Sequence, residues 1–128
     1  MWNVGIMEKT KTFKEFSVWQ KSMKLAVSIY KLTDQFPSRE IYGLASQVRR
    51  SVVAIPSNVA EGYARRHTKE YAQFVNIAFA SGAELETQLE LSKELGYIRE
   101  NEYSAVLELL NEVMKMLNKL SQVLRSHS

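Results

Sequence analysis

At 128 residues the chain has the length of one domain, enough to bury a real core. It has no cysteine, which excludes disulfides, thiolate metal sites and cysteine nucleophiles and suits a reducing compartment, the cytoplasm being the one expected. Seventeen basic against fourteen acidic residues leave a net charge of +3, too small to dictate a partner, and no apolar run approaches the ~20 residues of a membrane span.

The charge is uneven. Residues 1–31 hold six lysines against two glutamates, and residues 84–94 hold four glutamates against one lysine. Such polarity suits a basic face for an acidic partner, and equally self-association between unlike faces. Two prolines and five glycines leave little turn punctuation, so a few long elements are expected.

Residues 1–12 lack the apolar core of a signal peptide and read as a flexible tail ahead of a single domain at 13–126. The first helix is predicted over Phe16–Gln35, with Phe16, Met23, Val27 and Tyr30 as its core face and Trp19, Ala26 and Ile29 flanking them. Pro37 ends it. Lys14, Lys21, Lys24 and Lys31 fall on one side of this helix. That stripe reads either as a solvated face or as a surface that tracks phosphates.

The second helix follows Ser38, its expected N-cap, with Glu40 favourable at the positive helix start, and runs to Ala60, with Leu44, Val48, Val52, Ile55 and Val59 as a core stripe and Gly62 as its stop. It carries Pro56 in its interior. A proline there removes a backbone hydrogen bond at about 3 kcal/mol, so packing must compensate. Arg50 falls on the surface side. Arg49 falls beside Ala45, Val53 and Ala60, where a half-buried guanidinium needs a carboxylate; Glu84, Glu90 or Glu61 could supply it, with Glu84 the expected partner in a structural ion pair, and the other reading is an anion contact made with Arg65 and Arg66. Gln47, Ser51, Asn58 and Glu61 line the other flank, either as wet surface or as a subunit contact; the Asn58 amide is placed to bond backbone near Pro56. The loop beyond holds Arg65, Arg66 and His67.

The third helix is predicted from Thr68 as N-cap to Gly96, with Tyr71, Phe74, Val75, Ala78, Gly82, Leu85 and Leu89 facing the core and small residues around Gly82 permitting close approach of a neighbour. The fourth covers Glu100–Arg125. Its apolar arc spans roughly 200°, against the ~100° a one-sided helix needs. The extra flank, with Leu109, Met116, Leu120 and Val123, is expected between subunits, together with Gln47 and Asn58. Short connections make neighbouring helices antiparallel, so the predicted fold is an all-α, up-down-up-down four-helix bundle.

Enzyme chemistry finds little footing. The only histidines are His67 and His127, so there is no Glu-x-x-His of a di-iron bundle, and Glu84, Glu86 and Glu90 disperse around their helix. No nucleophile elbow or Gly-rich phosphate loop occurs. No metal, cofactor or catalytic residue is expected. Arg65, Arg66, His67 and Lys69, with the lysine stripe, are the candidate nucleic-acid contacts.

Six elements carry a family resemblance. They are Phe-Lys-Glu-Phe-Ser-Val-Trp-Gln-Lys-Ser-Met at 13–23, Phe36-Pro37, Tyr42-Gly43-Leu44, Gln47-Val48-Arg49-Arg50-Ser51, Ile55-Pro56-Ser57-Asn58-Val59-Ala60-Glu61-Gly62 and Glu84-Leu85-Glu86-Thr87-Gln88. Together they resemble the four-helix bundle proteins encoded in intervening sequences of bacterial 23S ribosomal RNA genes. The resemblance implies a ring-like homopentamer. It also implies kinship with the accessory proteins of diversity-generating retroelements, whose basic pentamers associate with nucleic acid and a reverse transcriptase. It brings no catalytic residues. Arg99 stands where Ser or Thr commonly caps the last helix. Two functions are therefore expected: a non-enzymatic oligomer binding RNA or DNA through a basic surface, or an adaptor bundle binding a protein partner.

Overall fold

The computed structural model describes residues 12–127, so the tail expected at 1–12 lies outside the described residues except for Thr12. All regular structure in it is helical. A short 3-10 turn, Phe13–Glu15, leads into α1 (Ser17–Thr33); a second, Ser38–Glu40, precedes α2 (Leu44–Ala64); α3 (Thr68–Glu94) and α4 (Glu100–Ser126) complete the chain. α1 packs on α2 and α4, and α3 packs on the same two, with no close backbone approach across either diagonal. The four helices thus form an antiparallel bundle in cyclic order, as the short connections demand.

The core is layered from all four helices: Leu25 and Ile29 of α1, Val48, Val52, Ile55 and Val59 of α2, Tyr71, Val75, Leu85 and Leu89 of α3, and Leu110, Val113, Leu117 and Leu124 of α4, all fully buried. The stripe expected on α2 is therefore the one observed.

On α1 the buried face differs from the predicted one. Val18, Ser22, Leu25, Ile29, Leu32 and Thr33 point inward, while Met23, Val27 and Tyr30 are exposed. Both arcs are apolar, and two hydroxyls hide the true one from a hydropathy reading. Ser22 Oγ donates to the Trp19 carbonyl at 2.9 Å and Thr33 Oγ1 to the Ile29 carbonyl at 2.9 Å, so both enter the core with their polar groups satisfied inside the helix.

α2 keeps Pro56 inside its length, buried on the core side. Asn58 Nδ2 donates to the Ala54 carbonyl at 2.7 Å, one turn upstream, rather than to the Val52 carbonyl that Pro56 leaves without its donor. Gly62 does not stop the helix, which continues to Ala64. A Cβ at Gly62 would lie 2.7 Å from Phe74 Cβ and 2.8 Å from Tyr71 Cδ1, so the glycine is required where α2 and α3 cross. At Gly82 a Cβ would run into the Met114 side chain, which makes this the close approach of α3 to α4.

α3 starts one residue earlier than predicted, with His67 in the extended N-cap conformation and Thr68 as its first residue. It ends as expected at Gly96, φ +78, where Tyr97 N–H reaches the Ser92 carbonyl and Gly96 N–H the Lys93 carbonyl. At the start of α4, Arg99 offers no capping oxygen, but Glu102 Oε1 accepts from the Arg99 N–H at 2.8 Å, which is half of a capping box.

The wide arc of α4 is largely absorbed inside the monomer. Leu109, Met116 and Leu120 are half-buried and pack against the core, and Val123 is half-buried too. The large apolar side chains left exposed lie instead on α1, α2, α3 and the turns, with Tyr42 at 95% exposure the most open of them.

Candidate nucleic-acid interface

The antiparallel topology decides which basic residues meet. α1 begins where α2 ends: the Phe16 and Tyr63 rings meet edge to face at 4.9 Å, and Tyr63 packs on Tyr71 at 6.1 Å. This aromatic stack ties the Lys14 turn to the Arg65–His67 loop and to the first turn of α3. We call this the lower end of the bundle; the last turn of α4, with Arg125, reaches it as well.

Within the loop, Arg66 adopts φ +56, the left-handed position that usually selects glycine, and its guanidinium lies 6.0 Å from the centre of the Tyr63 ring. Arg65 is held by Glu61 at 3.5 Å and Glu70 at 3.8 Å and stacks over Phe74 at 5.0 Å. Lys69 is exposed beside it, and His67 is half-buried with no hydrogen-bond partner for Nδ1.

The lysine stripe does not survive as one surface. Lys14 joins the lower end. Lys21 Nζ is paired with Glu112 of α4 at 2.7 Å, which holds the Glu112 carboxyl below its ordinary range. Lys24 is exposed in mid-bundle. Lys31 lies toward the upper end, in a groove shared with Asp34 and Arg49.

The fold also recruits residues the sequence reading passed over. Among the described residues, cut at the helix midpoints Leu25, Ala54, Ser81 and Val113, the lower half holds nine basic residues (Lys14, Lys21, Lys24, Arg65, Arg66, Lys69, Lys115, Lys119 and Arg125) against Glu15, Glu61 and Glu70, with Lys21 paired to Glu112 just across the cut. The upper half reverses the balance, with ten acidic residues against six basic. Counting charge by half-helix, given antiparallel neighbours, would have found Lys115, Lys119 and Arg125.

Arg49 is where the expected pairing fails. Its Nε donates to Thr33 Oγ1 at 2.7 Å, its Nη2 to Asp34 Oδ1 at 2.9 Å, and it stacks on Tyr30 at 4.9 Å. Glu84 lies on the other side of α2, where it accepts from Ser51 Oγ at 3.2 Å. Arg49 sits on the α1 flank of α2 and Glu84 faces its α3 flank, so the pair could not form. Arg50 is exposed, as expected, and so is Gln47; Asn58 is half-buried.

Among the described residues no group of three or more His, Asp or Glu is arranged to hold a metal, and no helix is long and apolar enough to cross a membrane.

The fold and the basic lower end define the chain as a helical-bundle protein. Residues 14–119 match the model of the 23S rRNA-intervening sequence protein family, and the chain belongs to that family. The bundle is similar to the crystal structure of a protein of unknown function from the S23 ribosomal protein family of Bacteroides thetaiotaomicron VPI-5482, with a TM-score of 0.76 and 25% identity over 82% of this chain and 95% of that one. No curated protein matches the chain.

Proposed function

We propose that this chain is a non-enzymatic, homo-oligomeric protein of the cytoplasm that binds RNA through the lower end of the bundle, in a ring-like homopentamer. The observation that carries the reading is the segregation of charge along the bundle axis, with nine basic against three acidic residues in the lower half. A concentrated cationic end attracts a polyanion far more than a net charge of +3 spread evenly would. Arg66 adds a second argument. The left-handed backbone costs an L-residue about 1–2 kcal/mol, which a glycine would avoid, and this strain falls on an exposed cation of the basic end, as strained residues do at functional sites.

Binding of this kind is weak per subunit and tolerant of sequence, because the cations come without an aromatic stacking platform. In a ring the sites repeat and act together. The test is a fluorescence titration of labelled single-stranded RNA across salt concentration. Log Kd should change with log salt by about 0.7 for each phosphate contacted. Arg65→Glu with Arg66→Glu should abolish binding while light scattering shows the wild-type mass. Absence of any RNA or DNA binding at low salt would sink the reading.

The second reading is an adaptor that binds a protein partner. It is favoured by the exposed apolar residues Met23, Val27 and Tyr30 on α1, and becomes the leading one if nucleic acid does not bind.

A further inference from the structure

We infer that two unlike apolar patches of the bundle are the halves of one head-to-tail contact, in which the groove between α1 and α2 of one copy receives the outer stripe of α3 of the next. The inference rests on the oligomeric reading above and identifies its interface.

The first patch joins Met23, Val27 and Tyr30 of α1 to Val53 of α2; Val27 is 52% exposed. Arg49 and Lys31 line the same groove. Asp34, the acid there, is engaged by Arg49 at 2.9 Å, so the patch presents apolar surface with cationic character. The second patch is on α3. Ile77, Glu84 and Leu91 recur at steps of seven, which puts them on one helical face, and Leu95 follows one turn later. Ile77, Leu91 and Leu95 are each about half exposed. Glu86, Glu90 and Glu94 surround Leu91. This patch is apolar with anionic character.

Three features fit the two patches to each other. An apolar centre with opposite charge on the two rims is the pattern of a specific interface, and like patches of either kind would repel. Both patches reach from the middle of the bundle into its upper half, from Met23 to Tyr30 and from Ile77 to Leu95, so they overlap in height when copies stand side by side. They lie on different sides of the bundle, one between α1 and α2, the other on the outer face of α3, from Glu84 beside Ser51 of α2 to Glu90 beside Tyr103 of α4, so one copy can engage a neighbour through each at once. The basic lower end stays outside this contact and free for nucleic acid.

The experiment uses the full chain with Val27→Glu, which spoils the first patch, and Leu91→Lys, which spoils the second; both positions are about half exposed, and circular dichroism checks that each variant stays helical. Light scattering should give a multi-chain mass for the unmodified protein and a single-chain mass for each variant alone. An equimolar mixture should regain a species of at least two chains, because the patch left intact on one variant meets the intact patch on the other. Retention of the wild-type mass by either variant, or a mixture that stays monomeric, overturns the interface while leaving an oligomer standing. A monomeric unmodified protein overturns the oligomeric reading and this inference together. The monomeric variants should still bind RNA at low salt, more weakly than the unmodified protein because their sites no longer act together, and complete loss of RNA binding by either would place the patch within the RNA surface and overturn the assignment.

Discussion

Arg49 holds the upper part of α1 to α2 through three different contacts: a hydroxyl, a carboxylate and a ring. The carboxylate contributes least, since Asp34 is 77% exposed and its pairing is screened. Most of the effect comes from the bond to buried Thr33 and the packing on Tyr30. Arg49→Ala should therefore destabilise by about 1–2 kcal/mol in urea unfolding at fixed protein concentration, while Arg50→Ala stays within about 0.5 kcal/mol. Glu84→Ala should not reproduce the Arg49 effect; if it did, the pairing seen here would be wrong. Arg66 yields a prediction of opposite sign. Replacing it by glycine relieves about 1–2 kcal/mol of backbone strain and costs about 0.5–1 kcal/mol in chain entropy, so Arg66→Gly should leave the fold equally or slightly more stable while weakening RNA binding. A loss of stability in thermal melting would show that Arg66 is structural.

Among the elements, the start of α2 depends on a carboxylate rather than on the N-cap that Ser38 suggested. Glu40 Oε1 accepts from the Leu44 N–H at 3.0 Å, and Tyr97 Oη donates to Glu40 Oε2 at 2.7 Å, which ties the α3–α4 turn to the α2 terminus. Gly43 permits this approach, since a Cβ there would stand 2.6 Å from Glu40 Oε1. The Leu44 amide first, and the Tyr97 hydroxyl second, hold the Glu40 carboxyl below its ordinary value of 4.5. A carboxyl that is more acidic when folded stabilises the fold at pH above that ordinary value, and the contribution disappears as the pH falls through the lowered one. Glu40→Gln should thus lower the melting temperature at pH 7 and flatten its decline in acid below pH 4.5. Tyr97→Phe should give part of the same loss. A parallel latch joins α3 to α4, where Tyr103 Oη donates to Glu90 at 2.7 Å and Lys93 bridges to Glu90 at 3.2 Å. The Glu90 bond pushes the Tyr103 hydroxyl from its ordinary 10 up to about 12, so the latch's contribution is fully present below pH 10 and is lost as the pH rises from there through about 12.

Across the whole molecule, two properties arise that no single helix carries: the basic lower end and the pair of unlike apolar patches. Antiparallel packing produces both, by placing the start of one helix beside the end of the next. The basic end also makes a prediction in mixed solution. Binding a short RNA should leave the oligomeric mass per ring unchanged apart from the added RNA, because the cations lie away from the apolar patches. Dissociation of the oligomer on RNA addition, read by light scattering, would place the two surfaces in conflict.

The bundle was legible in the chain because long amphipathic repeats on α2, α3 and α4 leave little choice of fold, and because Pro37, Gly96 and the short loops mark where helices stop. Family membership was legible from motifs that include helix ends and a crossing, Phe36-Pro37, Tyr42-Gly43-Leu44 and the run to Gly62. Three matters needed the tertiary structure. The buried face of α1 depended on Ser22 and Thr33 satisfying their hydroxyls within the helix, which hydropathy counts as polar breaks. The partner of Arg49 depended on which neighbour α2 turns that flank toward, and it is α1, with Thr33, Asp34 and Tyr30. The fate of the wide arc on α4 depended on how far α1 and α3 wrap it. A helical wheel gives the angle of a side chain about its own axis, but what lies at that angle is decided by where the other helices stand.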